Sequence, residues 1–216
     1  MKTLVLSDIH IGDPRVKRGK GIIKLLEDQS FDRVILNGDI IDLWFCKIRD
    51  IKNHPVVKKI DEISRIKDVI WLSGNHDWNT KNIKNLWPDV YKLDHFKISE
   101  DGKNIFIIHG NQVYFLKNKS WFSKIMSKIN IWFWKIFKCD LQLKLQKTCC
   151  YKYKITSARQ KILKKYGKGV DSILMGHTHL VGWENLNGVH LTDAGSAVFT
   201  RTYATIENGY VYLRKL

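Results

Sequence analysis

Five short polar blocks, each directly behind an apolar run, hold the residues of this 216-residue chain best suited to chemistry. They are Asp8-Ile9-His10, Gly38-Asp39-Ile40-Ile41-Asp42, Gly74-Asn75-His76-Asp77, His109-Gly110 and Gly176-His177-Thr178-His179. Taken singly, each has an ordinary explanation: a strand-end Asp caps a turn, and a lone His is commonly a hydrogen-bonded structural residue. Together they hold five of the eight histidines, and their spacing adds a second argument. Asp8 and His10 are two apart, so in an extended segment their side chains leave the same face and can grip one ion; His177 and His179 repeat the arrangement. Carboxylate, imidazole and Asn-carbonyl donors without thiolate favour Mn2+, Fe2+ or Co2+, with Zn2+ allowed. The seven or so donors exceed what one ion takes, whereas two divalent ions sharing a carboxylate use them all.

The elements that must position these blocks alternate. Runs over Thr3–Ser7, Arg33–Leu36, Val69–Leu72 and Ile105–Ile108 read as strands, and Gly21–Asp28 and Val56–Ile66 as helices. That is an α/β pattern, in which ligands collect at the carboxyl ends of strands. A further strand over Ser172–Met175 follows. Short runs punctuated by Gly188, Gly195 and Gly209 then predict an antiparallel meander. Gly38, Gly74, Gly110 and Gly176 flank the blocks, where tight turns and close approach favour glycine.

The five blocks, in this order over residues 8 to 179, resemble the pattern D-x-H, G-D-x-x-D, G-N-H-D/E, H, G-H-x-H of the calcineurin-like metallophosphoesterase superfamily. The resemblance implies a four-layer α/β/β/α sandwich in a single domain over 1–216. It implies that Asp8, His10 and His179 hold one metal, that Asn75, His109 and His177 hold the other, and that Asp39 bridges them. His76 matches the histidine facing the phosphoryl group or leaving oxygen, Asp42 the carboxylate that orients it, and Asp77 a supporting residue. The implied chemistry is hydrolysis of a phosphate ester or anhydride by water acidified between two cations, Mn2+ being the expected ion. His54, His95 and His190 match no motif.

Several details are similar to the UDP-2,3-diacylglucosamine hydrolase branch, which releases UMP and an acylated sugar phosphate in lipid A synthesis. They are Leu6-Ser7-Asp8-Ile9-His10-Ile11-Gly12, the pair Trp44-Phe45, the insertion between His109 and Gly176, and Thr192-Asp193-Ala194-Gly195-Ser196. The chain departs from that branch at Asn111, where Asp is usual, and at His76, where many members carry Arg.

Charge is concentrated in one place. Residues 111–170 hold 15 Lys and Arg against one acid, Asp140, and so carry +14 of the chain's +16, together with 11 of its 25 aromatics. The stretch reads as a helical insertion, a lid over 112–168, inside an otherwise balanced domain. As a helix, 117–138 sets Lys117, Lys124, Lys128, Lys135 and Lys138 within an arc of about 80°. Ile125, Ile129, Trp132, Phe133, Ile136 and Phe137 fall on the other side. Lysine stripe and aromatic face together suit an anionic membrane interface or an acyl chain; the alternative is an amphipathic helix packed on its own domain. A second basic helix is expected near Ser157–Tyr166.

The first expectation is therefore a hydrolase of a nucleotide-linked lipid, cytoplasmic and peripheral to the inner membrane face. The second is a soluble phosphodiesterase, phosphatase or nuclease whose basic segment contacts nucleotide or nucleic-acid phosphates. The third is a non-catalytic scaffold on the same fold. The composition, 44% hydrophobic and 27% charged, excludes intrinsic disorder. No run reaches the roughly 18 apolar residues of a membrane span, and no signal peptide is read. Cys46, Cys139, Cys149 and Cys150 lack zinc-knuckle spacing and read as free thiols in a reducing compartment.

Overall fold

A computed structural model of the chain describes residues 1–16, 19–77, 85–113, 125, 128–132 and 149–216. Its first three strands form because largely uninterrupted Val, Ile and Leu runs suit a sheet buried on both faces. β1 (Thr3–Leu6), β2 (Arg33–Asn37), β3 (Asp68–Leu72) and β4 (Tyr91–Leu93) lie side by side in parallel. Two late strands, β10 (Thr202–Glu207) and β11 (Tyr210–Lys215), extend that sheet from β1, giving the order β11-β10-β1-β2-β3-β4. The second sheet runs β5-β6-β7-β9-β8, built from β5 (His95–Glu100), β6 (Lys103–Ile108), β7 (Ser172–Met175), β8 (Val181–Leu186) and β9 (Val189–Ala194).

Strand alternation sorts the apolar side chains into layers. Val5, Ile35, Leu72 and Ile206 from the first sheet meet Ile105, Ile107 and Leu174 from the second in an inter-sheet core. On the outer face of the first sheet, Leu4, Leu36 and Trp71 pack under α1 (Lys20–Glu27) and α3 (Pro55–Ser64), through Ile22, Leu26, Val57 and Ile60. The short α2 (Ile48–Ile51) leads into α3. On the outer face of the second sheet, Phe106, Ile173 and Leu191 pack against Ile162 of α4 (Cys149–Tyr166). Two sheets lie back to back with helices outside, as the four-layer expectation has it.

Two expectations change. The C-terminal third is not one meander: β8–β9 is a hairpin of the second sheet and β10–β11 a hairpin of the first. The chain crosses between sheets at Gly195, whose φ of 69° turns it after Ala194. β9 pairs in parallel with β7, so the late strands complete both sheets instead of making a third unit. The expected helix near Ser157–Tyr166 begins earlier, at Cys149.

The proposed lysine-striped helix lies largely outside the described residues, including Lys117, Lys124, Lys135, Lys138, Phe133, Ile136 and Phe137. Residues 128–132 are helical. Ile125, Ile129 and Trp132 are 43%, 40% and 57% exposed, whereas Asn130 and Ile131 are buried. Among the described residues, no helix is long and apolar enough to cross a membrane. Cys46 is a free thiol; burial and the Asp42 charge push it up to about 12, which disfavours its thiolate.

Candidate metal centre

The polar blocks sit where β1, β2, β3, β6 and β7 end, and backbone bonds carry the ladder past the strands. Asp8 N donates to Gly38 O (3.1 Å), His10 N to Asp39 O (2.9 Å) and Asp42 N to Ile11 O (2.8 Å). Side-chain-free positions let the blocks approach. A Cβ at Gly38, which has a φ of 74°, would overlap the His109 ring, and one at Gly176 would strike Ser7 and Asp8.

The backbone at the candidate donors differs from expectation. Asp8, His10, Asp39, His177 and His179 are not extended; they have φ of 54°, 52°, 52°, 71° and 56°. For non-glycine residues this left-handed region costs roughly 1–2 kcal/mol each, and such strain gathers at functional sites. The pairs converge because each residue is turned, not because a straight strand presents every second side chain.

Three groups result among the described residues. Asp8, His10 and His179 form one, with His179 Nε2 at 3.1 Å from Asp8 Oδ1 and at 3.1 Å from His10 Nε2. Asp39, His109 and His177 form the second, with His109 Nε2 at 3.2 Å from Asp39 Oδ2. The third is His10, Asp42 and His76. Asp42 joins two imidazoles: its Oδ2 lies 3.1 Å from His10 Nδ1 and its Oδ1 lies 2.9 Å from His76 Nδ1. His109 Nδ1 donates to Asn37 O at 2.8 Å, which turns Nε2 toward Asp39. Asn75 stands beside this group, since the next residue, His76, donates its backbone N–H to Asp39 Oδ1 at 2.8 Å.

This arrangement fits cations. Asp8 Oδ1, Asn75 Oδ1 and His109 Nε2 are buried polar atoms outside any hydrogen bond, and buried polar groups are normally satisfied. Two imidazole nitrogens and a carboxylate oxygen crowded at about 3 Å have nothing between them to share unless an ion or proton is placed there. The donors are oxygen and nitrogen, the set that suits first-row divalent ions.

The electrostatics are those of a buried acid–imidazole cluster. Burial opposes ionisation of Asp8 and Asp39, yet the surrounding histidines hold both carboxyls well below the usual range. Burial also opposes the charge on Asp42, but His10 and His76 push it down to about 2. Burial works against a charged His109 too, and the Asp39 and Asp8 charges overcome it, raising the group to about 9. Burial and the neighbouring His109 lower His177 to about 3.

The remaining residues divide into struts and bystanders. Asp77 accepts from Gly74 N (2.6 Å) and Ile40 N (2.8 Å), tying the third block to the second. His54 caps α3, His95 packs on Phe106 at the edge of the second sheet, and His190 is exposed on β9. Sequence reasoning gave several supports no role, although Trp44, Thr178, Asp193 and Ser196 stand in segments it singled out. Trp44 stacks on the His76 ring with centroids 3.6 Å apart. Phe199 stacks on His179 at 5.3 Å. Ser196 Oγ donates to the Asp8 carbonyl at 2.6 Å. Thr178 and Arg159 converge on Asp193. One signal was available for Asp193, an acid inside the otherwise apolar and small run Leu191–Ala194.

Solved structures share this fold across the whole chain. A phosphoesterase from E. coli, YfcE, aligns with a TM-score of 0.55 at 15% identity, covering 98% of this chain and 91% of its own. An archaeal phosphodiesterase aligns with a TM-score of 0.51 at 17% identity over 100% of both chains. Vps29 from Entamoeba histolytica, complexed with zinc, aligns with a TM-score of 0.53 at 13% identity, covering 100% of this chain and 98% of its own. Among curated proteins no sequence matches the chain significantly. A family model for the calcineurin-like phosphoesterase superfamily domain matches residues 1–214. Strand-end polar blocks, back-to-back sheets and a family match of that extent agree, and the chain belongs to the calcineurin-like phosphoesterase superfamily.

Proposed function

We propose that this protein hydrolyses phosphoesters or phosphoanhydrides with two divalent cations, Mn2+ being the favoured ion. Asp8, His10 and His179 would hold one cation, Asn75, His109 and His177 the other, and Asp39 would be shared. Bound there, the cations would supply Lewis acidity toward phosphate oxygens and acidify the attacking water. The observation that carries the reading is the crowding of buried, hydrogen-bond-free donor atoms contributed by both sheets.

The chain's own residues supply the rest. His76 presents Nε2 while Asp42 holds Nδ1 at 2.9 Å and Trp44 covers one ring face. A proton on that Nε2 passes to the leaving oxygen as the P–O bond breaks, a general-acid role worth about 10² to 10⁴ in rate. The hydroxyl of water ends on phosphorus, and solvent reprotonates His76. Asp42 also fixes His10, so one carboxylate orients both a ligand and the proton donor.

The test is release of p-nitrophenol from bis(p-nitrophenyl) phosphate in the presence of Mn2+. Turnover is expected to vanish with chelator and in Asp39→Ala, and to fall about 10² to 10⁴-fold in His76→Ala. Stoichiometric metal binding without turnover on any phosphate substrate would favour the scaffold reading.

The substrate this reading favours is a nucleotide-linked lipid pyrophosphate of the UDP-2,3-diacylglucosamine kind, cleaved at the inner face of the cytoplasmic membrane. What supports it is the exposure of Ile125, Ile129 and Trp132 within a Lys-rich stretch of the sequence, since exposed apolar side chains beside basic ones suit an interface. A panel of UDP-diacylglucosamine, dinucleotides, cyclic nucleotides and single-stranded DNA separates the readings, alongside flotation with anionic vesicles. Preference for the lipid, with flotation reduced in Trp132→Glu, supports it. Preference for a nucleotide or for DNA, with steep salt dependence, selects a soluble phosphodiesterase.

A further inference from the structure

α4 carries several basic residues, and one of them faces inward. Lys161, Lys164 and Lys165 are exposed, whereas Arg159 is 8% exposed and shares a helix face with the buried Ile155 and Ile162. A guanidinium in a position suited to an apolar side chain needs fixed partners. It has two: Glu184 on β8, and Asp193 on β9, whose Oδ2 lies 3.3 Å from Arg159 Nη2.

Asp193 is fully buried. The same Oδ2 accepts from Thr178 Oγ1 at 2.5 Å, and Oδ1 accepts from Gly195 N at 3.2 Å. Thr178 lies between His177 and His179. Its hydroxyl, oriented by Asp193, in turn accepts from Leu180 N at 2.9 Å, and its backbone N–H donates to Gly176 O at 2.8 Å. These bonds span the turn in which both flanking histidines are held at positive φ. The two histidines belong to different ligand groups, so a relaxation of this turn displaces one donor from each.

We infer that Arg159, Asp193 and Thr178 are positioning residues that clamp the strained His177–His179 turn, coupling the seating of α4 to the affinity of both metal positions. The inference rests on the reading of the site as a dimetal centre. Arg159 neutralises and aims the Asp193 carboxylate, Asp193 locks the Thr178 hydroxyl, and the hydroxyl holds the turn. Without the arginine, a buried carboxylate would be left with only neutral donors and would draw in water or rotate, releasing Thr178. Glu184 steadies the other arm of the guanidinium.

The experiment is calorimetric titration of the chelator-stripped full chain with Mn2+, comparing wild type, Arg159→Met, Arg159→Lys, Thr178→Val and Thr178→Ser, with the melting temperature of each stripped protein as control. Arg159→Met and Thr178→Val are expected to weaken binding about 10- to 100-fold at both positions. Lys and Ser, which restore charge and hydroxyl, are expected to recover most of the affinity. Unchanged affinity in Arg159→Met or Thr178→Val, with only a lower melting temperature, would overturn the clamp and leave a packing role. If Arg159→Met does not fold, the Thr178 pair decides by the same criterion. A wild type that binds no Mn2+ would overturn the dimetal reading and the clamp with it, a result distinguishable from failure of the clamp alone.

Discussion

Asp42 is the residue whose role the sequence conveyed least completely. Its link to His76 followed from resemblance, but its bond to His10, 32 positions earlier, depends on backbone pairing that brings Ile11 beside Ile41. This double contact makes a distinguishable prediction. In His76→Ala, turnover is expected to fall while Mn2+ affinity holds, because that side chain is proposed to donate a proton and no ligand. In Asp42→Asn, both are expected to fall, turnover by about 10² or more and affinity by about 10-fold, because the amide can accept from only one imidazole and turns its NH2 toward the other. Steady-state kinetics beside metal titration check it; an Asp42→Asn protein with wild-type affinity would remove Asp42 from the support of His10. The polar blocks that the fold gathers were legible because candidate metal donors are a narrow set of residue types. Supports such as Asp193 and Trp44 were not, because buried acids and aromatics serve many purposes and only contact assigns one.

At the scale of elements, what could be read followed hydrophobic continuity. Ser172–Met175 was bounded as the structure has it, and β1, β2, β3 and β6 were placed within two residues, since buried parallel strands are unbroken apolar runs. β4 and β5 were not anticipated. Tyr91–Leu93 is a three-residue exposed edge, and His95–Glu100 buries only Ile98 fully, so neither has the apolar density of an interior strand. Helix α3 holds a feature equally hidden in composition. His54, which matches no motif, accepts from Val56 N through Nδ1 at 3.3 Å as the helix N-cap, with Pro55 following. Only a neutral ring can accept there, and burial lowers the His54 pKa from its ordinary 6.5. The unfolded chain therefore takes up this proton first. The cap's contribution, about 1 kcal/mol, is whole above pH 6.5 and is lost as pH falls through the lowered folded value. His54→Asn keeps an acceptor that does not titrate. Urea midpoints at pH 7.5 and 5.5 are expected to show the variant gaining on the wild type at the lower pH; an equal difference at both would mean the ring is not the cap in solution. The comparison cancels the acid response of the histidines in the candidate site, which both proteins share.

For the molecule as a whole, the site lies across a seam. Asp8, His10, Asp39 and Asn75 follow strands of the first sheet, while His109, His177 and His179 follow strands of the second. Behind the seam the sheets are joined by apolar contact among residues such as Val5, Ile35, Ile107 and Leu174. In front, the proposed cations would be ligated from both sides, and ligands that bind only the folded state stabilise it by mass action. At free Mn2+ a hundred times the dissociation constant, that linkage is about 2.7 kcal/mol for each cation held. For a chain of this size each cation then raises the melting temperature by roughly 5–11 °C. Calorimetric melts with and without Mn2+ are expected to show this rise in wild type and in His76→Ala, and to lose it in Asp39→Asn, where the proposed shared carboxylate is gone. A rise of the same size in Asp39→Asn would place the stabilising ions elsewhere, because a shared donor cannot be removed without loosening the hold on both positions.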